Sequence, residues 1–285
     1  MQKTEKRITV TIIGAGGKMG TRILNNLVKG SHDLLFCEKS QAGIERIREK
    51  GLSVTDMKEA VPESDVVIMA VPDAILGKLS QEVVPKMRKD SIIVFLDPAA
   101  AYAGEVAVRE DCTFVVVHPC HPALFDEQET PEAREDVFGG IAAKQDIVIA
   151  LLHGTEENFQ IAQNICRAMF APVVEAHRIT VEQMAILEPA MAEVIGASCA
   201  ALLKEAMDEA IARGVPEKAA RAFMLGHIKI ALAIIFKSSN PFSDAAVKAV
   251  RYGSQRLFNE NWRNLFDEKS IKEVLKQMLH PDERE

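Results

Sequence analysis

A basic excess is missing from this chain. Its 34 Lys and Arg are outnumbered by 41 Asp and Glu, which leaves a net charge of −7 and a pI near 5.6. A nucleic-acid or anionic-membrane partner needs a cationic face, so neither is expected. The five cysteines, Cys37, Cys112, Cys120, Cys166 and Cys199, show neither disulfide-framework nor CxxC spacing, and reduced thiols filling a core are the expectation. The opening stretch MQKTEKRITV has no apolar core of a signal peptide. The stretch IKIALAIIF is too short to span a bilayer and is flanked by charges. Internal repeats and low-complexity tracts are absent. These absences leave a soluble, cytoplasmic, acidic protein as the expectation.

What is present changes texture along the chain. With 285 residues and 48% hydrophobic content, the chain can bury one large core or two smaller ones, and two domains are expected. Short β-branched runs (RITVTIIGA, DLLFCE, DVVIMAVP, SIIVFLDP, CTFVVVHP, DIVIALLHG, PVVEAH) alternate with helical patterns up to about residue 178. Continuous apolar strands separated by helices predict a parallel sheet covered on both faces. Beyond Arg178 the strands stop and alanine-rich helices follow. Thr180 and Gln183 form a capping-box signature for a helix that could run to Gly214, with a kink expected at Pro189. A second helix is predicted from near Pro216 towards Ser238, and at least two more after NPFSD.

The first chemical motif is IIGAGGKMGTRILNNL, with glycines at 14, 16, 17 and 20 between a strand and an amphipathic helix. Backbone amides of such a loop, with the helix N-terminus, can hold a pyrophosphate. Gly14, Gly16, Gly17, Lys18 and Met19 are the expected contacts; a tight structural turn is the alternative. Glu38 ends the second strand, where a carboxylate can accept hydrogen bonds from the adenosine ribose and repel a 2′-phosphate, favouring NAD over NADP. Lys39 beside it weakens that preference, and a solvated acid is the bland reading. The next strand ends in Ala70-Val71-Pro72-Asp73, at the carboxyl edge where ligands of doubly wound sheets bind, so Val71 and Asp73 join the cofactor set.

Read as Gly14-x-x-Gly17-x-x-Gly20, the loop resembles that of dihydrodipicolinate reductases and some prephenate dehydrogenases. Together with Glu38 and AVPD, it resembles the NAD(P)-binding domain of the 6-phosphogluconate and 3-hydroxyacid dehydrogenase superfamily. HPCHPALFDEQ, TVEQMAILEPAMAEVIGAS and GHIKIALAIIF look like the subgroup with a phosphogluconate-dehydrogenase-type C-terminal half, which includes the D-apionate oxidoisomerases. The resemblance implies an α/β fold: an N-terminal Rossmann doubly wound parallel sheet (1–178) followed by an all-α dimerisation and substrate domain (179–285). It also implies a homodimer and NAD-linked oxidation of a branched sugar acid with rearrangement of its skeleton. The superfamily's GxxxK lysine has no counterpart in VEQMAILEPAMAE, which offers glutamates, and no basic cluster is seen for a sugar phosphate. An unphosphorylated carboxylate or polyol fits better.

VVVHPCHP, residues 115–122, is a strand that ends on two histidines, each followed by proline. Proline should hold both His118 and His121 in extended backbone. At the carboxyl edge an imidazole can take a hydroxyl proton as hydride leaves, or bind a metal. Hydrogen bonds that only fix the loop are the alternative. Three ligands from His118, Cys120 and His121 on one short turn would be cramped. Glu188 is a better distant partner, because a carboxylate among Ile186, Leu187 and Ala190 is costly unless paired. Its alternative is exposure at the kink. His118, His121 and Glu188 are therefore the catalytic candidates, with His118 and Glu188 as ligands to zinc or magnesium. Glu182 and Glu193 are expected to be solvated or intersubunit, and His227 to be a core histidine. A simple hydroxyacid dehydrogenase and a non-catalytic NAD(H) sensor remain open beside the oxidoisomerase.

Overall fold

The computed structural model describes residues 7–237 and 240–281. Ser238, the predicted end of the second C-terminal helix, and residues 1–6 of the opening stretch lie outside them. The strands are β1 (Thr9–Ile13), β2 (Asp33–Cys37), β3 (Val66–Met69), β4 (Ile92–Phe95), β5 (Thr113–Pro119), β6 (Gln145–His153) and β7 (Val173–Arg178). They form one sheet in the order β2-β1-β3-β4-β5-β6-β7. The order reverses beside β1, so the crevice outside the carboxyl ends of β1 and β3 is the topological switch point. Every run of β-branched residues predicted as a strand is one.

The helices of this region are α1 (Lys18–Leu27), α2 (Gln41–Arg48), α3 (Met57–Glu63), α4 (Asp73–Val83), α5 (Ala99–Tyr102), α6 (Pro131–Glu135), α7 (Glu156–Met169) and α8 (Val181–Ala185). Several starts are fixed by side chains: Ser40 accepts from the Gly43 amide, Asp56 from Lys58 and Thr155 from Asn158. The Thr180–Gln183 capping box forms as predicted. α1 differs, because Gly17 at its N-cap has no side chain to accept from the first turn. Its leading amides are left for a ligand. Val10, Ile12, Val66, Ile68, Val94, Val115, Val117 and Ile147 pack with Ile23, Leu27, Phe159 and Ile165 in one buried core. Each such side chain contributes roughly 1.5–3 kcal/mol on burial.

One expectation of the sheet is corrected. β5 and β6 pair antiparallel, His118 facing Val148, while every other pair is parallel. A parallel return needs a crossover, usually a full helix. The connection from β5 to β6 holds only the five-residue α6, so the chain turns back beside β5. That leaves a long segment, residues 120–144, lying beyond the carboxyl end of β5.

By contacts the chain forms two compact units, one of residues up to Ile186 with those from Lys272 onward, the other Leu187–Ile271. In the first, α12 (Glu268–Leu279) buries Leu275 and Leu279, and His280 meets Glu105 at 2.8 Å. The helix that starts at Val181 runs to Ala212, π-helical over Ile186–Ala197 and α-helical again as α9 (Ser198–Ala212). Pro189 lies inside the π segment, whose wider turns accommodate a residue that lacks N–H and crowds the preceding carbonyls. Gly214, at φ 95°, follows the end of α9. The second unit also holds α10 (Glu217–Lys237) and α11 (Asp244–Leu257).

The apolar faces of this unit are largely open in the single chain; Phe223 is 68% exposed and Phe236 73%. His227 is exposed too, stacked on Phe223 at 3.8 Å, rather than the core histidine that the apolar sequence around it predicted. Val181–Ala212 and Glu217–Lys237 are long and apolar enough, by length and composition, to cross a membrane. IKIALAIIF is thus part of a longer apolar helix than its own length suggested. Cys37, Cys112 and Cys166 are buried as expected of core thiols, whereas Cys120 and Cys199 are exposed.

Candidate active site

The glycine loop is shaped by close backbone approach. Gly14 has φ 81°, and a Cβ there would lie 2.2 Å from the Ala70 carbonyl oxygen and 3.2 Å from Val71 Cγ1. At Gly20 it would lie 2.0 Å from the Gly14 carbonyl oxygen, and at Gly16 2.4 Å from Gly43 Cα. Side chains at these positions would push the loop off β3 and α2, so the glycines answer a steric demand beyond turn geometry. Lys18 and Met19 open α1, and Val71 and Asp73 flank the same crevice from the end of β3 and the start of α4. The eight residues predicted for the cofactor therefore lie on elements that meet around one loop.

Glu38 leads from β2 into α2. Its Oε2 accepts from the Gly16 amide at 3.0 Å, and its Oε1 from the amides of Lys39 and Ser40, both at 2.9 Å, and the Ser40 hydroxyl at 3.0 Å. Partial burial opposes the charge, but the Ser40 donors and the Gly16 and Lys39 amides outweigh it and hold the carboxyl below its usual range. Glu38 thus places a fixed negative charge beside the glycine loop.

His118 closes β5, half-buried, and its Nδ1 lies 3.0 Å from the Leu96 carbonyl oxygen. A carbonyl can only accept, so Nδ1 is the donor in this bond. Nδ1 is also 3.8 Å from Oδ2 of Asp97, the residue that follows β4 by two positions. Asp97 and His118 thus stand together at the carboxyl edge of the first unit, whereas Glu188 belongs to the second. Glu188 sits half-buried in the π-helical turns just after Ile186, while Glu182 and Glu193 are exposed as expected.

His121 is placed differently from the expectation. It precedes Pro122, yet has φ 61° instead of extended backbone. A hydrogen bond from its Nδ1 to the Phe138 carbonyl oxygen, 2.8 Å, holds the turn in this form, and the same bond leaves its Nε2 as the acceptor. The two imidazole rings are 6.3 Å apart, edge to face. Cys120 is exposed with its thiol pushed up to about 11 by burial of the sulfur and by Asp146, so it is a poor nucleophile or metal ligand.

Two residues of the site escaped the sequence reading. Asp97 stands in FLDP two residues past β4, as Asp73 stands in AVPD four past β3, and an acid just beyond the carboxyl end of each strand was the available signal. Phe138 carried no signal, because only the return of the 120–144 segment brings it to His121. A surface cavity of about 810 Å³ lies on that segment between Leu124, Asp126, Glu127, Glu129 and Asp136. Its carboxylates give it the wrong sign for an acidic substrate.

Two family descriptions match the chain: "Acetohydroxy acid isomeroreductase, NADPH-binding domain" over residues 4–172 and "Phosphogluconate dehydrogenase (decarboxylating) C-term" over residues 126–279. A D-apionate oxidoisomerase of Pectobacterium atrosepticum is 43% identical over 275 residues, 96% of each chain. One of Blautia hydrogenotrophica is 44% identical over 281 residues, 97% of this chain and 98% of that protein. Among solved structures, a semialdehyde dehydrogenase NAD-binding protein from Cupriavidus necator in complex with calcium and NAD is 41% identical. It superposes with a TM-score of 0.93 over 96% of this chain and 100% of that one.

The carboxyl edge carries a pH signature. Burial first, and then the negative charge of Asp97, push the Asp73 carboxyl up to about 6. The folded chain therefore holds this proton more tightly than the unfolded one, whose Asp titrates near ~3.9. The stability so gained is fully present below about pH 4 and is lost as pH rises through about 6. In the presence of a chelator, Asp73→Asn should exceed the parent in stability by on the order of 1–2 kcal/mol at about pH 7.5 and match it near pH 4. Urea unfolding at both pH values checks this, and an equal difference at the two would contradict it.

Proposed function

Because the chain belongs to the D-apionate oxidoisomerase family, with a C-terminal half of the phosphogluconate dehydrogenase type, we propose that it oxidises a small branched sugar acid with NAD and rearranges the carbon skeleton. The observation that carries this reading is the likeness to D-apionate oxidoisomerases over nearly the whole chain, with His118 beside Asp97 at the carboxyl ends of β5 and β4. In a doubly wound sheet the reactive end of a dinucleotide lies along the carboxyl edge where β4 and β5 end.

In this reading the amides of Lys18 and Met19 at the uncapped head of α1 hold the pyrophosphate, Gly16 and Gly17, whose amides are taken by Glu38 and the Gly14 carbonyl, shape the loop beside it, and Glu38 accepts from the adenosine ribose. Gly14 and Gly20 keep the backbone low enough for the dinucleotide to lie on it, and Val71 and Asp73 line its path. The charge on Glu38 disfavours a 2′-phosphate. His121 Nε2, the nitrogen left as acceptor, would take the hydroxyl proton and become the imidazolium as the substrate carbon becomes the ketone; a bound NAD would supply the hydride acceptor. By residue chemistry, His118, the Asp97 carboxylate beside it and Glu188 would supply a mixed nitrogen and oxygen donor set that suits a hard or borderline divalent cation. When bound, such a cation supplies Lewis acidity and chelation for adjacent substrate oxygens during a carbon shift. The calcium and NAD in the Cupriavidus necator relative support both assignments.

The open apolar faces of α9 and α10 support a homodimer through residues 180–285. Lys229 and His227 lie in the middle of α10, where a lipid-facing charge would be costly. A second copy of the chain is therefore the cover we assign, with neither a membrane nor nucleic acid as partner.

A panel of sugar acids, followed by NADH absorbance and product identification, tests the function. A rearranged keto product is expected, an unrearranged one would leave a simple dehydrogenase, and no turnover at all would favour a sensor. NAD should bind more tightly than NADP by roughly tenfold or more, and Glu38→Ala should narrow the gap; equal affinities for the parent overturn that assignment. Chelator, Asp97→Asn and Glu188→Gln should each depress turnover while binary NAD affinity holds. Retention of full activity in all three removes the cation. Light scattering without detergent should give the dimer mass at micromolar concentration, whereas a monomer contradicts the assembly.

A further inference from the structure

Phe138 touches both halves of the site. Its ring lies under the Lys18 ammonium, Nζ to centroid 4.2 Å, with the Arg22 guanidinium 5.4 Å away. The His121 ring packs against it at 6.0 Å and 82°, and its carbonyl accepts the His121 Nδ1 proton at 2.8 Å. Lys18 is the first residue of α1, where the pyrophosphate is assigned. One side chain therefore contacts the ammonium of the first residue of α1 and the imidazole assigned to the proton.

The loop that carries Phe138 is built onto α1. Asp136 Oδ2 accepts from the amides of Ile141 and Ala142, each at 2.9 Å, and of Ala143 at 3.2 Å. Arg22 donates to the Gly139 carbonyl and meets Asp136 at 3.4 Å. Asn26 Nδ2 donates to the Gly140 carbonyl at 2.9 Å. Gly139 and Gly140, at φ 72° and 78°, make the sharp turn after Phe138. So tight a frame around a phenylalanine that is itself 47% exposed indicates that the ring is held out for a purpose other than packing.

We propose that Phe138 is a positioning residue that couples dinucleotide binding at the head of α1 to the placement of His121. The ring face keeps the Lys18 ammonium beside the glycine loop, where it meets the pyrophosphate charge, and its contact with the His121 ring keeps that imidazole aimed as its left-handed backbone sets it. This rests on the dinucleotide reading given above.

Two double-mutant cycles test it. Phe138→Leu removes the aromatic face but leaves the carbonyl that holds His121. It should weaken binary NAD affinity roughly two- to fivefold, the loss of an exposed cation–π contact. Lys18→Met should weaken it at least as far, and the double variant no further than Lys18→Met alone. At saturating NAD, Phe138→Leu should also lower kcat, and combination with His121→Gln should lower it no further than His121→Gln does. Phe138→Tyr should restore both quantities. Unchanged NAD affinity in Lys18→Met or Phe138→Leu, additive losses in either cycle, or a loss confined to the thermal midpoint overturns the proposal. If the parent chain binds no NAD, the dinucleotide reading fails first, and the two failures are told apart.

Discussion

The structure hangs on backbone touching backbone. Gly14 against Ala70, Gly20 against Gly14 and Gly16 against Gly43 leave no room for a single β-carbon. Those contacts draw the ends of β1 and β3 and the heads of α1 and α2 together around a shallow cradle lined by amides. Because α1 has no side-chain cap, no side chain claims the amides of its first turn, and because Glu38 takes the Gly16 amide and both donors of Ser40, a negative charge is fixed at the end of β2 beforehand. Binding here needs little rearrangement.

From that cradle the carboxyl edge extends across β4 and β5 to the antiparallel turn into β6. The reversal matters chemically. A crossover helix would have carried the chain away over a sheet face; the turn instead keeps residues 120–144 at the strand ends and brings Phe138 back to His121. His118 and His121 then use the same device, each giving its Nδ1 proton to a backbone carbonyl, Leu96 and Phe138. Side-chain substitutions around them cannot easily change the tautomer, since the partners are main-chain atoms.

Local pattern carried most of the architecture. β-branched runs bounded by turn residues mark all seven strands, the glycine spacing marks the cradle, and the Thr180 capping box marks the start of the long helix. Features that depend on distant segments were not legible. The antiparallel entry of β6 depends on what fills the link before it, and an apolar run looks alike in either direction. Asp97 reads as an ordinary post-strand acid until β4 is laid beside β5. His121 looked extended because the residue before proline usually is, whereas a carbonyl seventeen positions away selects the rarer conformation. His227 was read as buried because its neighbours are apolar, but within one chain those neighbours are themselves uncovered.

The left-handed turn at His121 also bears on how such a protein can change over time. At φ 61° most side chains are strained, while asparagine and aspartate tolerate the region best after glycine. Both lie one nucleotide from histidine in the genetic code. Loss of the imidazole is thus an easy step that spares the backbone, and the descendant would still fold and still cradle a dinucleotide. Along a lineage, and on the role proposed for His121, this codon is where an enzyme and a mere binder of its cofactor would part.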